Sequence, residues 1–307
     1  MSGIRVANAP CSWGTLEFEG MAGEPVGYRQ MLDELRETGY EGTELGDWGY
    51  MPTDPDVLRD ALTQRSLSLR GAFVPVALCN ASLHTAGVAQ AVRTAKLLRE
   101  AGDAADPAVL VLADANGTVP ARIMNAGRIT PAMGLTDDEW AVLAQGVTTI
   151  ARAVRSETGL RTVFHHHCAG FVETPAEIAA FLARTDADDI GLLFDTGHYA
   201  FGAGSGHAVL EGMARFVDRI RYVHLKDCHD GVASQAQSVG WNYFDAIGHG
   251  VFCELGKGNV DFAAVLEILH AMDYRGWVVV EQDVLPGMGS PRESAARNRA
   301  YLRSLGI

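Results

Sequence analysis

Ionisable side chains stand at the ends of this chain's apolar runs. Asp195 closes LLFDTGH, with His198 three residues on; His224 follows Tyr222-Val223 in YVHLKD, beside Lys226 and Asp227; Glu281 ends WVVVEQD, with Asp283 just beyond. His165-His166-His167, Glu44, Asp114 and Asn8 close four further runs. Desolvating so many polar and charged groups is costly unless something compensates them, and a divalent metal is the economical compensation. Two carboxylates with one or two histidines form a mixed oxygen and nitrogen set that suits Mn2+, Co2+, Fe2+ or Zn2+ better than Ca2+. Mn2+ and Co2+ are the first choices, with Zn2+, Fe2+ and Mg2+ as alternatives. Such a metal can hold a ketone and its neighbouring hydroxyl and stabilise the enediolate left when the intervening C–H is deprotonated. Isomerisation, epimerisation and loss of a β-hydroxyl as water all share that intermediate.

Each residue also has a plainer reading. Asp195 suits the N-cap of a following helix, and His224 alone would read as a buried histidine bonded to a carbonyl. An unpaired buried glutamate is rare, so Glu281 reads as a ligand or catalyst. Alternation along a strand puts His165 and His167 on one face and His166 on the other. His198, Lys226 and Glu281 are the candidate acid–base groups, with their roles unassigned. Candidate substrate contacts are Trp13 (a lid or sugar-stacking residue, or core packing), Glu44 (or a structural rim carboxylate), His167 and Asp227. Asp245 and His249 are read as structural rather than as a second metal site. A cysteine is most often a small buried hydrophobe, which sets Cys11 and Cys168 aside as nucleophiles.

The elements that must carry these groups are short apolar runs alternating with longer amphipathic stretches. The runs Ile4–Ala9, Gly42–Leu45, Ser68–Phe73, Ala108–Ala113, Arg161–His166, Ile190–Asp195, Arg221–Leu225 and Trp277–Glu281 lack clean polar alternation, as strands buried on both faces do. Helices are expected over Tyr28–Thr38, Asp54–Gln64, Thr85–Ala101, Asp137–Ser156, Pro175–Ala183, Ala208–Val217, Phe262–Ala271 and Pro291–Arg303. Thr53 before Asp54-Pro55, Thr136 with Glu139, and Thr174 with Pro175 and Glu177 mark starts, while Gly39 and Gly159 mark ends. Eight strand–helix units in 307 residues match an α/β chain folded as one (β/α)8 TIM barrel over residues 1–307. A doubly wound sheet is the alternative, weakened by the lack of a G-x-G-x-x-G after the first strand. In such barrels the C-terminal strand ends face the active site.

Lys and Arg total 25 against 38 Asp and Glu, a formal net charge of −13. That balance, with no basic run, repels phosphate backbones and argues against nucleic-acid binding. No apolar stretch reaches the roughly 20 residues a membrane span needs, and MSGIRVANAP has neither a signal core nor a transit pattern. Cys11, Cys79, Cys168, Cys228 and Cys253 lie far apart with no C-x-x-C pair, as in a reducing compartment. A soluble cytoplasmic protein is the expectation. Barrels of this kind are often homo-oligomers, and no interface is legible in the sequence.

The motifs TDDEWAVLAQG (Thr136–Gly146), TVFHHHCAGFVETPAEI (Thr162–Ile178), LLFDTGH (Leu192–His198), YVHLKD (Tyr222–Asp227) and GWVVVEQD (Gly276–Asp283), in this order, resemble the xylose-isomerase-like TIM barrels. Within them they resemble the myo-inosose (2-keto-myo-inositol) dehydratases. The resemblance implies a divalent-metal site with Asp195, His224 and Glu281 as ligands. In the wider superfamily a glutamate after strand five completes the set; the matching position here is His165, a departure shared with the dehydratase subgroup. Epimerases of the superfamily use two facing glutamates as an acid–base pair, so the histidine tilts the reading toward elimination. ANAPCSWGTLEFEG (Ala7–Gly20) fits less well, lacking the acidic stretch after the tryptophan. A related cyclitol or a 3-keto-sugar is therefore an alternative substrate to inosose. The leading expectation is a metal-dependent lyase dehydrating a keto-cyclitol or keto-sugar, a small keto-polyol being its partner. A ketose isomerase or 3-epimerase is the runner-up. An abasic-site endonuclease, opposed by the charge, and a non-catalytic sugar-binding barrel follow.

Overall fold

In the computed structural model, which describes residues 3–14, 26–285 and 288–307, every expected strand run joins one closed parallel barrel. The strands are β1 Ile4–Asn8, β2 Gly42–Glu44, β3 Ser68–Val76, β4 Val109–Asp114, β5 Thr162–His165, β6 Ile190–Asp195, β7 Ile220–Leu225 and β8 Gly276–Val280, arranged in chain order. The ring closes where β1 pairs with β8, from Ile4 opposite Gly276 to Asn8 opposite Val280. Crossover helices cover the outside, among them Tyr28–Thr38, Asp137–Thr158, Pro175–Ala183 and Phe262–Ala271. Thr136 with Glu139 and Thr174 with Glu177 each form the reciprocal capping box that their spacing predicts. The second helix starts one residue later than expected, because Asp54 rather than Thr53 accepts the first free amides, those of Asp56 and Val57.

Among the described residues, four α-helices were not foreseen: Pro120–Met124, Thr196–Ala203, Asp230–Val239 and Tyr243–Gly248. Thr196–Ala203 (TGHYAFGA) is buried through Phe201 on every side, so no amphipathic stripe betrays it. The two after β7 form an excursion closed by an antiparallel bridge between Asp227–Cys228 and Phe252–Cys253. No helix among the described residues is long and apolar enough to cross a membrane. The second half of Ala7–Gly20 lies outside the described residues.

Apolar packing forms two layers. The larger lies between strands and helices; the smaller fills the barrel with Ala7, Ala9, Val111, Val163, Leu193, Tyr222, Trp277 and Val279. At the N-terminal end of the strands, Arg5 and Arg70 lie over the Trp277 ring, 4.2 and 4.7 Å from its centroid. Asp106 binds both guanidinium groups and accepts from the Trp277 indole at 2.9 Å. Arg70 is buried, so removing its carboxylate leaves a desolvated charge. Breaking a fully buried pair costs roughly 3–5 kcal/mol; because Asp106 keeps part of its side chain in water, Asp106→Ala is expected to lower the unfolding free energy by about 2 kcal/mol. Urea unfolding measures this, and an unchanged midpoint would refute it.

Candidate active site

Period-two alternation delivers the site. Along β5 to β8 the interior residues Val163, Leu193, Tyr222 and Val279 are each followed, two positions on, by His165, Asp195, His224 and Glu281. Those four side chains therefore enter the barrel at its C-terminal mouth. His165 lies opposite Leu193, Asp195 opposite His224 and Val279 opposite His224, so the four residues climb the staggered wall from His165 to Glu281. All four residues are buried, and their ligand-capable atoms lie within 4.8 Å of one another.

In each of the four, one atom is bonded to the protein while another faces the group. His165 donates from Nδ1 to the His166 carbonyl at 2.5 Å, leaving Nε2 directed at Asp195 Oδ2, 3.8 Å away. Asp195 Oδ1 accepts the His198 amide at 2.8 Å, whereas buried Oδ2 has no hydrogen-bond partner. His224 Nε2 meets Glu44 Oε1 at 3.0 Å; its buried Nδ1 has no hydrogen bond although Glu281 Oε1 is 3.1 Å away. Glu281 Oε2 contacts the Lys226 ammonium at 3.0 Å. Two imidazole nitrogens and two carboxylate oxygens are thus left converging, a donor set that fits a borderline divalent cation once His224 gives up its proton.

Charge bears this out. Burial, then the neighbouring His224, holds the His165 imidazole well below its usual range, so it is a neutral lone-pair donor. Burial pushes Asp195 up to about 6 against the pull of Lys226. For Glu281, burial is outweighed by His224 and Lys226, which hold the carboxyl well below its usual range. His224 is the reverse: burial pulls it down, but Glu281 and Glu44 together push it up to about 10.

Lys226 is fully buried, and its three protons reach Glu281 Oε2, Asp283 Oδ1 and His198 Nε2, each at 3.0 Å. Burial would favour the neutral amine, yet Asp283, Glu281 and Asp195 keep it an ammonium. Its stem runs beside Gly197, where an added Cβ would lie 2.5 Å from Lys226 Cγ; the glycine of DTGH leaves the lysine its path. His198 stays neutral, burial being the largest cause, with its ring centroid 3.8 Å from that of His167. Cys11, Glu281 and Asp283 form a second group with ligand spacing, but the Lys226 ammonium already serves those carboxylates.

The remaining expected residues divide. His167 shares the mouth with His165, their ring centroids 5.3 Å apart, while His166 points the other way and accepts the Asp195 amide. Asp195 is both the helix N-cap and a member of the cluster. Asp227 is corrected: its two oxygens accept the amides of Cys228, Gly256, Gly258 and Val260, so it clamps a loop instead of meeting substrate. Trp13 is buried, its indole donating to Glu34 at 2.7 Å, and it also lines a cavity with Gln282 and Val284. Glu44 is turned to His224, its Oε1 3.0 Å from Nε2. Asp114 accepts from the Leu78 and Phe171 amides, and His249 stacks on Trp241 at 3.8 Å. Sequence reasoning missed Phe73, which packs 6.0 Å from His165, and Phe252, whose ring lies 5.0 Å from the Lys226 ammonium. Phe73 was findable as the next inward residue after Gly71 on β3; Phe252 sits in the unforeseen excursion.

A family model described as the xylose isomerase-like TIM barrel matches residues 23–305. The chain belongs to that family. It is 30% identical over 309 residues to an inosose dehydratase of Histophilus somni, covering 98% of this chain and 97% of the relative. An inosose dehydratase of Geobacillus thermodenitrificans is 31% identical over 301 residues, 98% and 96% of the two chains. Among solved structures, the fold is shared with the 3-keto-D-glucoside 4-epimerase of E. coli at a TM-score of 0.68 and 16% identity, covering 98% of this chain and 99% of that one.

Glu281 and Glu44 favour the protonated His224, so a cation taking its Nδ1 would have to displace that proton. Calorimetric titration of Mn2+ into metal-free protein, in two buffers of different ionisation enthalpy, is expected to show about one proton released per ion. Affinity should fall as pH falls, by roughly tenfold per unit below the His224 pKa. Heats independent of the buffer would refute the exchange.

Proposed function

We propose that the protein is a divalent-metal-dependent hydro-lyase that removes water from a keto-cyclitol of the inosose type or a related keto-sugar. One observation carries the cation: four buried residues that each spend one atom on the protein and leave a second facing a common point. The inosose dehydratase relatives, similar over nearly the whole chain, support the substrate class and the reaction.

His165, Asp195, His224 and Glu281 would hold the ion, Mn2+ or Co2+ suiting the set best. When bound, it supplies Lewis-acid polarisation of the ketone and a neighbouring hydroxyl, acidifying the adjacent C–H. The chain's own groups then account for the proton traffic. Glu281, the glutamate of the cluster, takes the α-proton. Lys226, held as an ammonium, gives a proton to the departing β-hydroxyl, which leaves as water while the C=C bond forms. The 3.0 Å contact between Glu281 Oε2 and Lys226 Nζ lets the captured proton pass to the lysine and restores both groups. Asp283 keeps the ammonium in place, and His167 contributes to the substrate mouth. A base and an acid of opposite charge sharing one oxygen suit elimination; an epimerase needs a base on each face of the carbon.

Purified protein with Mn2+ or Co2+ is expected to convert 2-keto-myo-inositol to a product with enone absorbance, and chelation should abolish the reaction. No absorbance change with any keto-cyclitol counts against the reading, and solvent deuterium entering substrate without water loss would replace it with an epimerase. Lys226→Met is expected to lower kcat by roughly 10²–10⁴-fold, the usual range for a lost general acid, while Mn2+ still binds. Unaltered turnover in this variant would remove the lysine from the chemistry.

A further inference from the structure

Glu44 comes from β2, on the far side of β1 and β8 from His224, yet its Oε1 reaches His224 Nε2 at 3.0 Å across the barrel interior. Two local features aim it there. The β2–β3 register passes from Thr43 opposite Leu69 to Glu44 opposite Gly71, leaving Arg70 as an extra residue on β3. Such a bulge re-aims the side chains beside it: Arg70 fills the barrel floor, and Gly71 faces inward above it. A Cβ on Gly71 would lie 2.9 Å from Glu44 Oε1, so the absent side chain is the slot that the carboxylate occupies. A glycine inside a strand weakens it unless something must approach closely, and here that something is the carboxylate. Glu44 and His224 are both buried, at 3% and 1% exposure, so the bond is sheltered from water.

We propose that Glu44 is a positioning residue whose carboxylate holds His224 in the Nε2–H tautomer and turns the Nδ1 lone pair toward the cation. The proposal rests on the metal reading above. A carboxylate behind a ligating imidazole fixes its ring and tautomer and strengthens it as a ligand. Glu44 therefore acts through His224 and does not touch substrate.

Titrating Co2+ into metal-free protein, followed by its visible absorption, tests this without any turnover. Glu44→Ala is expected to bind Co2+ about 10–100-fold more weakly and to shift the absorption band, with the melting temperature of the metal-free protein little changed. Glu44→Gln, which keeps an acceptor for Nε2–H, should lose less. Gly71→Ala, which displaces the carboxylate without removing it, should behave like Glu44→Ala. Wild-type affinity and spectrum in Glu44→Ala, with only a raised KM, would overturn the proposal and make Glu44 a substrate contact. A lowered melting temperature with unchanged Co2+ affinity would overturn it in favour of a purely structural role. Wild-type protein that binds no Co2+ would instead sink the metal reading itself, and the proposal with it.

Discussion

Two carboxylates and two imidazoles are held within contact distance in a nearly dry barrel mouth, and everything around them manages that fact. Buried like charges repel, and buried lone pairs without partners are expensive. The chain answers with fixed partners on one side of each group: the His166 carbonyl, the His198 amide, Glu44 and Lys226. Lys226 is the internal counter-charge of the resting site. The opposite sides face one another, and the proposed cation would neutralise them with little rearrangement of ligands that are already oriented.

The barrel supplies the geometry with little extra machinery. Strand alternation sends every second residue inward, and the stagger between neighbouring strands sets heights, so His165, Asp195, His224 and Glu281 converge from four adjacent strands. Below them the interior turns apolar, and the first turn of the helix after β6 supplies the His198 amide that fixes Asp195. That helix starts directly from the strand, so strand end, cap and ligand are the same residue.

The barrel was legible because buried parallel strands write apolar runs and their crossover helices write caps. The convergence of His165, Asp195, His224 and Glu281 was legible for the same reason: a carboxylate or histidine ending such a run is carried to the mouth. His165 and His167 on one face, with His166 on the other, followed from alternation alone. What sequence could not show was direction at longer range. Asp227 looked like a rim acid, but the amides that claim it come from residues 256–260, in a loop with no strand or helix signature. Glu44 looked local to β2, and only the bulge at Arg70 reveals that it serves a histidine 180 positions away. Trp13 reads equally well as lid or core, and its bond to Glu34 is a long-range contact that the sequence does not show.

The stacked floor of Arg5, Arg70 and Trp277 has a consequence for traffic. With that end plugged, the C-terminal mouth is the doorway left to the cluster. On the proposed reading, an ion beneath a bound ring would be locked in until the ring departs, and loading would be ordered, ion before polyol.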